Sequence, residues 1–192
     1  MKILAFDQAT TSGWTFGGTK LDLREWKSGH FKAPKRDSEG DRLIIIEDSA
    51  LSLIDEYGPD LIVWEEPYDP SWDAVAAARA GKPARQGYSR STMQFLQRVK
   101  GAIMMAAARR SLATESYQPR TWRATLKLPH RPPGAPSDWI KKETLATVKR
   151  LGGNVKTFDE ADSWGICFHA LHGKAGIQRA TIDLFERARA QL

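Results

Sequence analysis

The stretch KILAFDQATTSGWTFG at residues 2–17 decides how the rest of the chain is read. Its apolar run ends on Asp7, the Thr/Ser/Gly cluster at 10–13 makes a turn, and GWTFG at 13–17 resumes an apolar, aromatic pattern suited to a second strand. REWKSGHF at 24–31 alternates loosely and reads as a third strand. Short connections between the three predict an antiparallel meander at the start of a sheet, with a carboxylate at the end of its first strand.

Downstream the period changes. From Ser38 to Tyr57, the residues Leu43, Ile46, Ala50, Leu53 and Tyr57 share one helical stripe, which Gly58-Pro59 stops. LIVWE at 61–65 is a continuous apolar run ending in carboxylates, the pattern of a buried central strand, and a helix leading into it implies a parallel crossover. Residues 67–90 carry three Pro and two Gly among Arg79, Lys82, Arg85 and Arg90, which predicts a loop-like basic segment with a short helical turn at 74–80. A long helix at 91–110 follows, with Met93, Leu96, Val99, Ile103 and Ala107 on one face. Gly101 in its middle costs about 1 kcal/mol relative to Ala, which close packing against another backbone would offset. ATESY at 113–117 is the last strand, PHRPPGAPS at 129–137 is an exposed loop, and helices resume at 138–151 and 159–172. This order describes an α/β fold over 1–192 as a single domain: a mixed five-stranded sheet, three antiparallel strands then parallel strands, flanked by helices.

Lys and Arg number 29 against 23 Asp and Glu, a formal charge of +6. A basic surface favours polyanions such as nucleic acid, although ordinary solubility charge explains the same number equally well. Cys167 is the only cysteine, so neither an intrachain disulfide nor a cysteine-based zinc site can form, and a reducing compartment is favoured. The N-terminal apolar run is too short for a secretory signal and no stretch reaches membrane-spanning length, so the expectation is a cytoplasmic protein with no membrane partner.

Four carboxylates lie where elements begin or end: Asp7, Glu65 (or its neighbour Glu66), Asp159 and Asp162. The last two are spaced i, i+3 and share a helical face. Taken singly, each is explained as a turn residue, a solvated strand end or a helix-capping acid. If they converge, like charges about 4 Å apart repel by roughly 4 kcal/mol at an effective dielectric near 20. Hard divalent cations relieve that repulsion, and oxygen-only ligation suits Mg²⁺ or Mn²⁺.

Three segments resemble the motifs of RuvC-type Holliday-junction resolvases, members of the RNase H-like nucleases. ILAFDQATTSGW at 3–14 is similar to the first motif, YGPDLIVWEEPY at 57–68 to the second, and DEADSWGICFHALH at 159–172 to the last. The resemblance implies an RNase H-like sheet and metal ligation by Asp7, Glu65, Asp159 and Asp162, with two ions per site. It favours Glu65 over Glu66 by the count from Pro59-Asp60, the neighbour alternating to the other strand face. Gln8-Ala9 departs from the family's common Pro-Gly, and Ser163 from its usual Ala.

Through YQPRTWR at 117–123 the resemblance places Arg120 and Arg123 near a scissile phosphate, and it assigns Lys141 or its neighbour Lys142 to the site as well. Tyr68, with Trp72 as a second choice, would stack on an unpaired base, while Arg79, Lys82 and Arg85 would meet DNA. His169 and His172 read as packing or capping residues. The implied protein is a homodimeric, Mg²⁺-dependent endonuclease for four-way junctions and other branched DNA, with the 91–110 helix at the interface. Two other readings stand beside it. FDQATTSG also resembles the phosphate-binding turn of sugar kinases and actin-like proteins, whose cleft needs a chain about twice this length. A non-catalytic junction-binding protein would keep the basic surface but has no need of the four acids.

Overall fold

Ile3, Leu4, Ala5 and Phe6 are all fully buried, because their strand lies inside the sheet with helices on both faces. The computed structural model describes residues 1–66, 89–173 and 176. Its strands are β1 (Lys2–Asp7), β2 (Thr11–Gly18), β3 (Lys27–Lys32), β4 (Leu61–Glu65) and β5 (Ala113–Tyr117). Its helices are α1 (Glu39–Tyr57), α2 (Arg90–Arg109), α3 (Pro119–Thr125), α4 (Trp139–Arg150) and α5 (Phe158–His172). The sheet order is β3-β2-β1-β4-β5. The β1–β2 and β2–β3 pairs are antiparallel, and β1–β4 and β4–β5 are parallel. This is the mixed five-stranded sheet that the element order predicts.

Alternation along β1 and β4 sorts their side chains between two cores. Leu4, Phe6, Ile62 and Trp64 face α1 and α2, whereas Ile3, Ala5, Leu61 and Val63 face α3, α4 and α5. Extended by one step, the same alternation sends Asp7 and Glu65 to the α5 side and Glu66 to the α2 side. Because Phe6 is paired with Trp64 in parallel register, the two acids also leave the sheet at the same level.

Several boundaries differ from expectation for local reasons. β3 begins at Lys27 rather than at 24, because residues 22–25 close a turn in which the Asp22 carboxylate accepts from the Arg24 N–H (2.9 Å) and the Glu25 carboxylate from the Asp22 N–H (2.7 Å). β2 starts two residues early, at Thr11, which is paired with Lys32. The helix α3 is unanticipated, although Pro119 in its first turn is a known helix-start signal. The buried face of α2 is Phe95, Val99, Ala102, Ile103, Ala106 and Ala107, so Met93 and Leu96 are only half-buried. Gly101 corrects another expectation: a Cβ there would meet nothing within 4 Å, so no backbone packs against it among the described residues. The helical turn expected at 74–80 lies outside the described residues. Among the described residues, no helix is long and apolar enough to cross a membrane.

Candidate active site

The α5 face of the sheet carries the acids. Asp7 at the end of β1, Glu65 at the end of β4, and Asp159 and Asp162 on the first turns of α5 line one cavity of about 250 Å³, together with Gln8, Arg123 and Lys141. Thr157 caps α5, its side chain accepting from the Glu160 N–H (3.2 Å), so Asp159 lies inside the helix and leaves its carboxylate free to face the cavity.

The docking of α5 is set by small residues and hydroxyls. A Cβ on Gly13 would lie 1.9 Å from the Asp159 carbonyl oxygen, so only glycine lets β2 approach the helix here. Ser163, in the second turn of the helix, donates to the Glu160 carbonyl (2.9 Å) and shares a hydrogen bond with Thr15 (2.9 Å), which in turn meets Ser28 (2.9 Å). A run of three hydroxyls thus ties α5 through β2 to β3, and it gives Ser163 a role that alanine could not fill. The buried Glu160 adds a second tie: it accepts from His30 Nδ1 on β3 (2.7 Å) and from the Lys156 N–H (2.6 Å).

Glu65 is held from two sides. Its carboxylate accepts from Trp122 Nε1–H (2.8 Å), and its carbonyl accepts from Gln8 Nε2 (2.6 Å). Gln8, at the position where proline is common in the resembled motif, therefore clasps the ends of β1 and β4 together. Its amide orientation is fixed, since only the NH₂ end can face a carbonyl. Trp122 is fully buried and packs against Gly165 of α5, where a Cβ would come within 2.7 Å of the ring. Neither clasp is legible in the sequence; Trp122 has the look of a core residue and is one, with its polar edge turned to the site.

Burial and mutual repulsion act on all four carboxyls. Asp7 is held well above the usual carboxylate range by burial, reinforced by Asp162, Glu65 and Asp159 and opposed by Lys141. Burial pushes Asp162 up to about 7, with Glu65 and Asp159 adding to it and Arg123 and Lys141 opposing. Glu65 and Asp159 are raised by burial too, against the pull of Arg123, Trp122 and Lys141 on the first and of Lys141 and His30 on the second. Among the described residues no group of three or more His, Cys, Asp or Glu residues forms a ready metal cage. What the four acids share is a cavity of oxygen donors whose charges repel, and that chemistry fits a hard divalent ion.

Raised carboxyl pKa values mean that the metal-free fold binds more protons than the unfolded chain, so these groups make stability fall as pH rises. For Asp162 the window runs from the ordinary value of 3.8 to about 7. The melting temperature in a chelator is expected to be higher at pH 5.5 than at pH 8, with the difference reduced in Asp162→Asn. A melting temperature that rises with pH and ignores this substitution would contradict the assigned electrostatics.

The other expected residues separate cleanly. Glu66 turns away to pair with Lys100 of α2 (2.8 Å). Arg123 and Lys141 line the cavity. Arg120 is exposed and does not line it, and Lys142 is exposed and paired with Asp138 one turn earlier (2.8 Å). Tyr68, Trp72, Arg79, Lys82 and Arg85 lie outside the described residues. His169 meets Thr125 Oγ1 (2.6 Å) and the Tyr117 ring, and His172 stacks on Trp26, so both serve packing away from the acids.

Trp122→Phe tests the support of Glu65. Losing one hydrogen bond to a charged acceptor is expected to cost about 1.5–3 kcal/mol of stability. Loss of such a supporting contact should also weaken metal-dependent activity by about 10–100-fold. Denaturant unfolding and a metal titration of activity read the two effects; an unchanged metal requirement would remove Trp122 from the site.

No protein-family model matches the sequence, and no curated protein does. The structure of T. thermophilus RuvC in complex with Holliday junction substrate superposes with a TM-score of 0.63 at 14% identity, covering 92% of this chain and 96% of that one. The chain has the RuvC fold. A second Thermus thermophilus RuvC structure gives a TM-score of 0.61 at 17% identity over 92% and 97% of the two chains. The yeast mitochondrial Holliday junction resolvase Ydc2 gives 0.54 at 13% identity over 92% and 82%. At such identities the likeness establishes the RuvC architecture, an RNase H-like α/β sheet flanked by helices, and leaves the chemistry to be argued from the residues.

Proposed function

We propose that this chain is a structure-selective endodeoxyribonuclease that hydrolyses phosphodiesters in branched DNA, four-way junctions foremost. The observation that carries the reading is the gathering of Asp7, Glu65, Asp159 and Asp162 in one cavity beside Arg123 and Lys141, on a RuvC fold. A relative in fold, T. thermophilus RuvC, is known in complex with a Holliday junction substrate, which supports the same class of partner here.

The four carboxylates would hold divalent ions, Mg²⁺ or Mn²⁺, two per site. When bound, such ions supply Lewis acidity toward the phosphodiester and make water a competent nucleophile near neutral pH. Arg123 and Lys141 would take the non-bridging phosphate oxygens and stabilise the charge that develops on them. The guanidinium of Arg123 rests 4.8 Å from the centre of the Trp122 ring, which limits its rotation at the cavity wall. Trp122 and Gln8 fix Glu65, and Gly13 fixes the distance of α5. In this reading Tyr68, with Trp72 as alternative, stacks on an unpaired base, and Arg79, Lys82, Arg85, Arg120 and Lys142 meet the DNA arms.

Paired symmetric nicks need two sites related by a twofold axis, so the active form would be a homodimer of single-domain protomers. Helix α2 suits the interface: Met104 and Met105 are 42% and 52% exposed, and the open space over Gly101 would admit a close neighbour. The deciding experiment offers a four-way junction, a fork and a plain duplex to the purified protein, with and without Mg²⁺, and maps the nicks. Symmetric, Mg²⁺-dependent nicks in the junction support the proposal. Tight junction binding without cleavage would instead favour a non-catalytic binding protein, and ATP hydrolysis without cleavage a kinase-like one.

A further inference from the structure

Beside the acid cavity lies an open groove of about 900 Å³, lined by Thr10, Thr11, Lys32, Pro34, Lys35, Arg36 and Asp159. It shares Ala9, Thr10 and Asp159 with the acid cavity, so the two form one continuous depression. Its far wall is basic. Lys32, Lys35 and Arg36 are all exposed. Among the described residues no ion-pair partner is recorded for either lysine. Among the same residues Arg36 pairs only with Asp37, at 3.8 Å with its side chain 89% exposed, a pair of little strength.

The segment that presents these cations is anchored. The Ala33 N–H donates to the Thr10 carbonyl (3.0 Å), and Ala33 is fully buried. Thr10 Oγ1 accepts from Arg42 (3.1 Å), whose guanidinium sits 3.9 Å over the Phe95 ring, and Phe95 itself lines the acid cavity. Pro34 restricts the backbone, and the Asp37 N–H closes a turn onto its carbonyl (3.1 Å). The basic turn is therefore fixed to the same loop that leaves Asp7.

On the reading of the acid cavity as a nuclease site, we infer that this groove binds the phosphate backbone of the DNA strand that flanks the phosphate being cut, through Lys32, Lys35 and Arg36. Three features favour a polyanionic chain over a small anion. The groove is open, its cations follow one another along a strand and turn instead of converging, and none is buried as a small-anion pocket would require. Its place also matters: Lys32 ends the edge strand β3 and Arg123 lies on the helix that follows β5, the opposite edge strand, with the acids of β1 and β4 between them. A strand crossing the acids thus meets cations on both sides of a patch that would otherwise repel it.

The test is the triple variant Lys32→Ala/Lys35→Ala/Arg36→Ala, compared with the wild type and with Arg24→Ala/Lys149→Ala/Arg150→Ala, which removes equal charge from exposed positions away from the groove. Affinity for a four-way junction is measured in chelator from about 50 to 200 mM salt, where each phosphate contact contributes a slope of about −0.9 in log K against log salt. The groove variant is expected to lose about 2–3 units of slope and at least about tenfold in affinity at the lower salt, the control far less. The control triple, none of whose residues lines either cavity, should cut the junction within about threefold of the wild-type single-turnover rate. Equal slopes and affinities for the two triples, with a wild type that cuts junctions, overturn the groove and leave the nuclease standing. A wild type that neither binds nor cuts branched DNA overturns both.

Discussion

Asp7→Asn is expected to lower metal-dependent junction cleavage by at least about 10³-fold while raising the melting temperature of the metal-free protein. The first effect follows from the place of Asp7 at the end of β1, facing Glu65, Asp159 and Asp162. Under the proposed chemistry, replacing its charge by a neutral amide would weaken the hold on cations that offset transition-state charge, and a loss of about 4 kcal/mol there equals about three orders of magnitude in rate. The second effect follows from burial and from three neighbouring acids, which hold the Asp7 carboxyl far above its usual range. An uncharged isostere is relieved of both penalties. Single-turnover cleavage and thermal melting in a chelator measure the pair. An unchanged rate would remove Asp7 from the chemistry, and a lower melting temperature would show that its charge stabilises the fold.

Gly13→Ala should be nearly as damaging although it alters no functional group. The added carbon would lie 1.9 Å from the Asp159 carbonyl oxygen, 2.2 Å from its carbon and 2.9 Å from the Glu160 nitrogen. All three are backbone atoms on a helix held by Ser163 and Glu160, so no flexible side chain can give way. Either β2 or α5 must move. Overpacking of this kind costs about 1–3 kcal/mol. The shift also carries Asp159 and Asp162 out of line, and misplacement by about 1 Å is enough for about 10²-fold in rate. Denaturant unfolding and cleavage kinetics should therefore fall together, and a variant with wild-type values of both would show that the approach of α5 to β2 is looser than described.

The parts of this arrangement that were readable in the sequence are those governed by local period. The run LIVWE at 61–65 becomes β4 with the bounds expected, and strand alternation separates Glu65 from Glu66, which the structure then ties to Lys100. The i, i+3 spacing of Asp159 and Asp162 likewise suffices to place both on one side of α5. What was hidden depends on partners far away in the chain. Trp122 and Gln8 each act on Glu65 across 57 positions. Nothing in YQPRTWR or FDQAT announces those bonds. Lys141 and Lys142 are indistinguishable by composition, and only the ion pair with Asp138 draws the second one aside. The basic turn at Lys32–Arg36 owes its relevance to the bond between Ala33 and Thr10, which the linear sequence does not contain. Gly101 shows the opposite failure: an expected contact that the chain does not make with itself.

The hydroxyl run from Ser28 through Thr15 to Ser163 has a consequence for biosynthesis. It joins the opening meander to a helix that leaves the ribosome more than 130 residues later, and half of the acid set rides on that helix. A nascent or truncated chain that stops short of α5 holds Asp7 and Glu65 without their counterparts. On the nuclease reading, competence for cleavage would thus arrive only with the closing steps of folding.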